Sequence, residues 1–202
     1  MNFTFGIITG GGNRVPVVVK AIKDRVPDPE IIVVGGGDTG GVIHIPFNED
    51  VRHMWITRKK NLITETATHD NIVYMHDYVV LCDGWYEGFL KFGDDWDICM
   101  NVITNLDGKR YRDWVTWGDP GVEGLKLVDY HTFKKPHQLY ISGAYWVAKK
   151  YVMEDEPLDD RLGWGQGEDV EWSKRVRSKY RYVMNPHSEV SLLKQKEVIA
   201  TL

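Results

Sequence analysis

The 202-residue chain has only two cysteines, Cys82 and Cys99, each within an apolar run. Two isolated thiols exclude a disulfide framework and a zinc knuckle, and they read as reduced core residues. Long hydrophobic runs are missing too, since no stretch approaches the roughly 20 apolar residues that span a bilayer. The first residues show no basic region followed by an apolar block, so no signal peptide is expected and a soluble, cytoplasmic protein is the default. Nor is there an excess of positive charge. A net charge of −4 offers no general attraction to nucleic acid or to acidic membrane, and neither is expected as a partner. The chain carries no internal repeat and no low-complexity segment.

What is present is enough apolar character, 43% of residues, for one real core. The length fits a single domain over residues 1–202. Eight tryptophans and ten tyrosines are many for this size. Most should fill the core, which leaves a remainder to form stacking surfaces for a sugar or a base.

Apolar runs and breakers alternate along the first half. Residues 3–9 read as a buried strand that stops at Gly10-Gly11-Gly12-Asn13. Val15, Val18, Val19, Ile22 and Val26 then recur at helical spacing, with Pro16 tolerated in the first turn. Residues 31–34 form a second strand ended by Gly35-Gly36-Gly37-Asp38, and residues 42–45 a short third one. A helix is expected over 58–69 with Leu62, Ile63 and Ala67 inward, a strand over 71–75, a helix over 83–92 and a strand over 97–103. This alternation predicts an α/β sandwich with a largely parallel sheet. Ligands of such sheets bind beyond the carboxyl ends of the strands, where Asn13, Asp38 and Asp77 would converge. The pattern breaks down over 105–136, which reads as an irregular functional segment. Residues 137–147 are strand-like again, 168–176 helical, and 181–184 a last strand.

Two simple glycine motifs fail their context. Gly35-Gly36-Gly37-Asp38-Thr39-Gly40 has dinucleotide-type spacing, but the strand-like Val42-Ile43-His44-Ile45 follows where a helix is required. No Lys-Ser or Lys-Thr follows either glycine cluster, which rules out a P-loop.

Chemistry concentrates in two stretches. Gly163-Trp164-Gly165-Gln166-Gly167-Glu168-Asp169 runs from a glycine-spaced loop into a helix start. Glycines, an aromatic platform and a carboxylate at that junction suit a general base working on a sugar hydroxyl. Tyr74-Met75-His76-Asp77 ends a buried strand in an acid that could hold a divalent cation; helix capping is the competing account. His187, past the last strand, is a second candidate ligand, though a lone histidine is more often structural.

In this order the parts resemble GT-A nucleotide-sugar glycosyltransferases, most nearly the family 2 type, over residues 3–187. The resemblance rests on the first strand and loop, the acid Asp38, the basic start Arg58-Lys59-Lys60-Asn61, and Met75-His76-Asp77, which keeps the last acid of an Asp-x-Asp motif. Ile141-Ser142-Gly143-Ala144-Tyr145-Trp146 and the Gly-Trp-Gly…Gly-Glu-Asp stretch complete it. It implies a GT-A type, Rossmann-like α/β/α sandwich with a mixed, mostly parallel sheet. It implies nucleotide binding by Thr9, Gly10, Gly11, Asn13, Asp38, Arg58, Lys59 and His76, and Mn2+ or Mg2+ at Asp77 and His187. Glu168, Trp164 and Gly143 would meet the acceptor, and Asp169 would be the base of an inverting transfer from a UDP-sugar to a carbohydrate or other hydroxyl acceptor. A nucleotidyltransferase and a non-catalytic nucleotide- or sugar-binding module are the alternatives.

Overall fold

The computed structural model describes residues 1–117, 123–130 and 138–202. Strand β1 (Phe3–Ile8) is buried along its whole length, as a central strand covered on both faces must be. It leads through the Gly10–Asn13 loop to helix α1 (Val15–Arg25), which buries Val15, Val18, Val19 and Ile22 and keeps Pro16 in its first turn. Strand β2 (Glu30–Val34) and the short β3 (Ile43–Ile45) follow, then helix α2 (Ile56–Thr66) and strand β4 (Asn71–His76). Strand β5 (Val79–Leu81) starts after two intervening residues and precedes helix α3 (Trp85–Phe92) and strand β6 (Ile98–Thr104).

A small sheet interrupts the alternation. It consists of β7 (Val115–Trp117), β8 (Leu125–Leu127) and β9 (Leu139–Tyr140), antiparallel in the order β8-β7-β9. The main sheet resumes with β10 (Tyr145–Lys149), helices α4 (Lys150–Asp155) and α5 (Glu168–Val176), and strand β11 (Tyr182–Leu192). Its order is β3-β2-β1-β4-β10-β6-β11-β5. The pairs of β1 with β2 and β4, β2 with β3, and β6 with β11 are parallel, and the remaining three are antiparallel. The sheet is therefore mixed and mostly parallel, as the sequence predicts.

The two faces of β1 divide the core. Phe3 meets Trp85 and Phe89 of α3 with ring centroids 5.0 Å apart, and Phe5 meets Trp85 at 5.4 Å. On the opposite face Gly6 lies beneath α2, next to Tyr74, which stacks at 5.0 Å on Trp146 of β10. Trp146 in turn meets Trp172 of α5 at 6.0 Å. The sheet also curls. Strand β5 leaves β4 after only Asp77 and Tyr78, yet lies four places away in strand order. A register shift between Asn185 and Glu189 lets β11 pair with β6 along its length and then with β5 at its end.

The structure adds to the sequence reading at particular points. Strand β5 and helix α4 were not expected, and part of the segment read as irregular, 105–136, forms β7 and β8. The last strand runs eleven residues, so His187 lies inside its irregular region and not beyond its end. Among the described residues no helix is long and apolar enough to cross a membrane. Both cysteines are free.

A Cβ placed on Gly6 would overlap the Ile63 side chain of α2. Gly6→Ala should therefore cost about 1–3 kcal/mol of stability, as overpacking does. Adding Ile63→Val should recover part of the loss, and urea unfolding of the single and double variants reads both effects.

Candidate active site

The carboxyl ends of β1, β2 and β4 and the amino end of β10 meet at one edge of the main sheet. Thr9, buried at the end of β1, organises the first loop. Its hydroxyl donates to Asp77 Oδ2 at 2.7 Å and accepts the Gly11 N–H at 2.9 Å. Its carbonyl accepts Lys59 Nζ at 2.7 Å, and Lys59 also pairs with Glu49. Gly10, Gly11 and Asn13 stand exposed beyond it. Gly35 must be glycine: with φ at 92°, a side chain would be strained and would run into the Thr9 carbonyl. Asp38 is exposed past β2 and accepts the Gly40 N–H at 2.8 Å.

Beside this loop lies a cleft of about 620 Å³. His76 and Tyr78 line one wall, Tyr111, Arg112 and Trp117 another, and Ser142, Gly143, Trp164, Glu168 and Asp169 a third. Glu168 and Asp169 open α5, with Gly167 before them in the left-handed conformation at φ 72°. Asp169 is held on both oxygens: Oδ2 accepts the Gly143 N–H at 3.1 Å and Oδ1 the Val170 N–H at 2.9 Å. Ser173 adds a second tie, donating to the Asp169 carbonyl at 2.6 Å and accepting the Ile141 N–H at 3.0 Å. Glu168 is buried, and burial with the neighbouring Asp169 charge raises its carboxyl above the ordinary 4.5 against the opposing pull of Lys60. His76 stacks on Tyr78 at 5.0 Å. Burial, aided by Lys60, Lys196, Lys194 and Lys59, lowers it well below the ordinary histidine value, so it is neutral at pH 7. Lys194 and Lys196 lie over the Tyr78 ring, at 3.8 and 5.0 Å from its centroid.

Beyond the exposed Gly10, Gly11, Asn13 and Asp38, the sequence candidates thus fall into three groups. His76, Gly143, Trp164, Glu168 and Asp169 line one cleft, and Thr9, Asp77 and Lys59 form a joined cluster beside it. Arg58 and His187 lie elsewhere. Arg58 turns outward to Glu65 at 2.6 Å, and the His187 ring faces Lys91 of α3 at 3.5 Å. Neither is among the cleft's lining residues.

Among the described residues no three His, Cys, Asp or Glu side chains gather as a metal-holding group. Asp77 is tied to the Gly10–Asn13 loop through the Thr9 hydroxyl. A single carboxylate fits a hard ion that takes its remaining ligands from phosphate and water, as Mg2+ does at nucleotides.

Lys60 is the residue that sequence reading missed. It belongs to a run of three cations, but it shares the inward stripe of Ile56 and Ile63 at i, i+4, i+7 spacing, and that position was the available signal. Tyr111, Arg112, Lys196 and Glu197 were missed for a different reason, since they reach the cleft from segments without periodicity.

The fold these elements build is that of the GT-A glycosyltransferases. GalNAc-T7, solved with UDP, GalNAc and Mn2+, superposes with a TM-score of 0.67 at 14% identity, over 97% of this chain and 44% of that one. Residues 1–349 of S. aureus TarS match with a TM-score of 0.65 at 10% identity, over 94% of this chain and 60% of that one. The UDP complex of the same TarS fragment matches at 0.64 and 10%, over 95% and 61%. The chain spans less than two thirds of the length of each. No family model and no curated protein sequence matches the chain.

Because its carboxyl is raised in the folded state, Glu168 binds a proton more readily folded than unfolded, and ionising it costs stability above pH 4.5. Glu168→Gln should therefore raise the urea midpoint at pH 7. The gain should vanish as the pH falls below the ordinary glutamate value, which a pH series of unfolding curves reads.

Proposed function

We propose that residues 1–202 act as one catalytic domain that transfers a sugar from a nucleoside-diphosphate donor, of the UDP type, to a hydroxyl group of a carbohydrate or similar acceptor, with inversion. The observation that carries this reading is Asp169, fixed by the Gly143 and Val170 amides and lining one cleft with the strand-end His76. The likeness of fold to structures solved with UDP supports a nucleotide donor.

The nucleotide would lie over the exposed Gly10, Gly11 and Asn13 loop, with Thr9 and Asp38 at the ends of β1 and β2 and Lys59 beneath. The acceptor enters by Trp164, which is 65% exposed and offers an apolar face at the rim for a sugar ring. The Gly163–Gly167 loop and the wall residues Tyr111, Arg112 and Trp117 would frame it. Asp169 takes the proton of the acceptor hydroxyl while that oxygen bonds to the anomeric carbon. The bond from that carbon to the diphosphate oxygen breaks, and the electron pair leaves with the diphosphate. Glu168 orients the acceptor beside the base. Arg112 and Lys196 stand on the cleft with positive charge toward the leaving group. A bound Mn2+ or Mg2+ would be held by Asp77 and would supply further charge neutralisation at the phosphates. His187, turned toward Lys91, is left out of that role.

Asp169→Asn should lower sugar transfer by about 10²–10⁴-fold, the range for loss of a general base. UDP affinity measured by calorimetry should not change. Transfer at the normal rate would dismiss Asp169 as base, and UDP binding without transfer to any acceptor by the unaltered protein would make the chain a binding module.

A further inference from the structure

Lys60 is completely buried, a rare state for lysine. Its ammonium sits over the Trp146 ring, 4.3 Å from the centroid, and donates to the Gly143 carbonyl at 2.9 Å. Gly143 is thereby gripped from two sides, because its N–H donates to Asp169 Oδ2 at 3.1 Å. The carboxylates close against the same residue. A Cβ on Gly143 would lie 2.9 Å from Asp169 Oδ2 and 3.3 Å from Glu168 Oε1. Packing alone gives no reason for a cation here, since an apolar side chain of similar volume fills such a site at lower desolvation cost.

We propose that Lys60 is a positioning residue for the carboxylate pair: through Gly143 it fixes the orientation of Asp169, and its charge balances the buried Glu168. The role rests on the transferase reading for its catalytic consequence. The ionisable groups around the pair are Lys60 from α2, His76 and Tyr78 from the end of β4, Tyr111 and Arg112 after β6, Lys196 and Glu197 after β11, and the two carboxylates of α5. Among these cations Lys60 is the one that is wholly buried and bonded to Gly143, the residue whose N–H holds Asp169, and its charge attracts Glu168. Burial lowers Lys60 itself to about 8, opposed by the attraction of Glu168 and Asp169. It is charged at pH 7 and loses that charge as the pH rises through 8.

The test compares the full chain with Lys60→Met, which keeps the volume and removes the charge. The Glu168 carboxyl is followed by 13C NMR titration without donor, and transfer is followed with a UDP-sugar. Lys60→Met should move the Glu168 titration to higher pH and lower kcat about tenfold, with UDP affinity unchanged. The unaltered protein should lose kcat as the pH rises above 8, and that decline should be absent in Lys60→Met. In the unaltered protein the Lys60 Nζ and Glu168 titration curves should each bend at the other's midpoint, a measurement that needs no variant to fold. Independent curves, or a Glu168 titration unmoved in Lys60→Met, overturn the inference and leave the transferase reading standing. An unaltered protein that transfers no sugar overturns that reading and the catalytic role of Lys60 with it, even where the curves are coupled.

Discussion

The site depends on the curl of the main sheet. A flat sheet in this strand order would hold β4 and β5 four strands apart, a span that Asp77 and Tyr78 alone cannot bridge. The irregular Asn185–Glu189 region of β11 allows the bend, and the chain crosses the open end of the sheet at His76, Asp77 and Tyr78. One short crossing therefore gives the cleft a stacked histidine–tyrosine wall and ties an acid to the Gly10–Asn13 loop through Thr9. The opposite wall is built against it by α5, whose first turn is drawn down onto Gly143 by Asp169 and onto Ile141 by Ser173.

Much of this was legible in the sequence, and the reasons are local. Strands β1, β2, β4 and β6 are short apolar runs bounded by glycine or polar breakers, and α5 begins where the glycine loop meets two acids. Those signals lie in neighbouring residues and need no partner to be read. Strand β5 was hidden because three residues carry no period, and β7 and β8 because their apolar positions are mixed with charges that pair only in the fold. Arg110, for example, reads as a loop cation until Asp113 is seen buried beside it at 2.7 Å.

The site was legible where a residue's type and its place at a strand or helix end coincide. His76, Gly143, Glu168 and Asp169 met that condition, and the cleft gathers them. Arg58 and Lys60 lie two apart in one basic run, and about 200° of helical rotation sends one to solvent and the other to the interior. Charge alone could not separate them. His187 reads as following the last strand, but the longer β11 places it within the register shift, beside α3.

The buried Asp113 has a wider consequence. Its carboxylate accepts from Arg110, Tyr130 and the Trp114 and Ile103 amides, so strand β6, the wall residues 110–114 and Tyr130 share one anchor. A flap that swung on that wall would have to strip a carboxylate of partners inside the protein. The wall should then exchange its amide hydrogens with the slow, global rhythm of the sheet, and access to the cleft falls to the exposed glycine-spaced Trp164 loop on the other side.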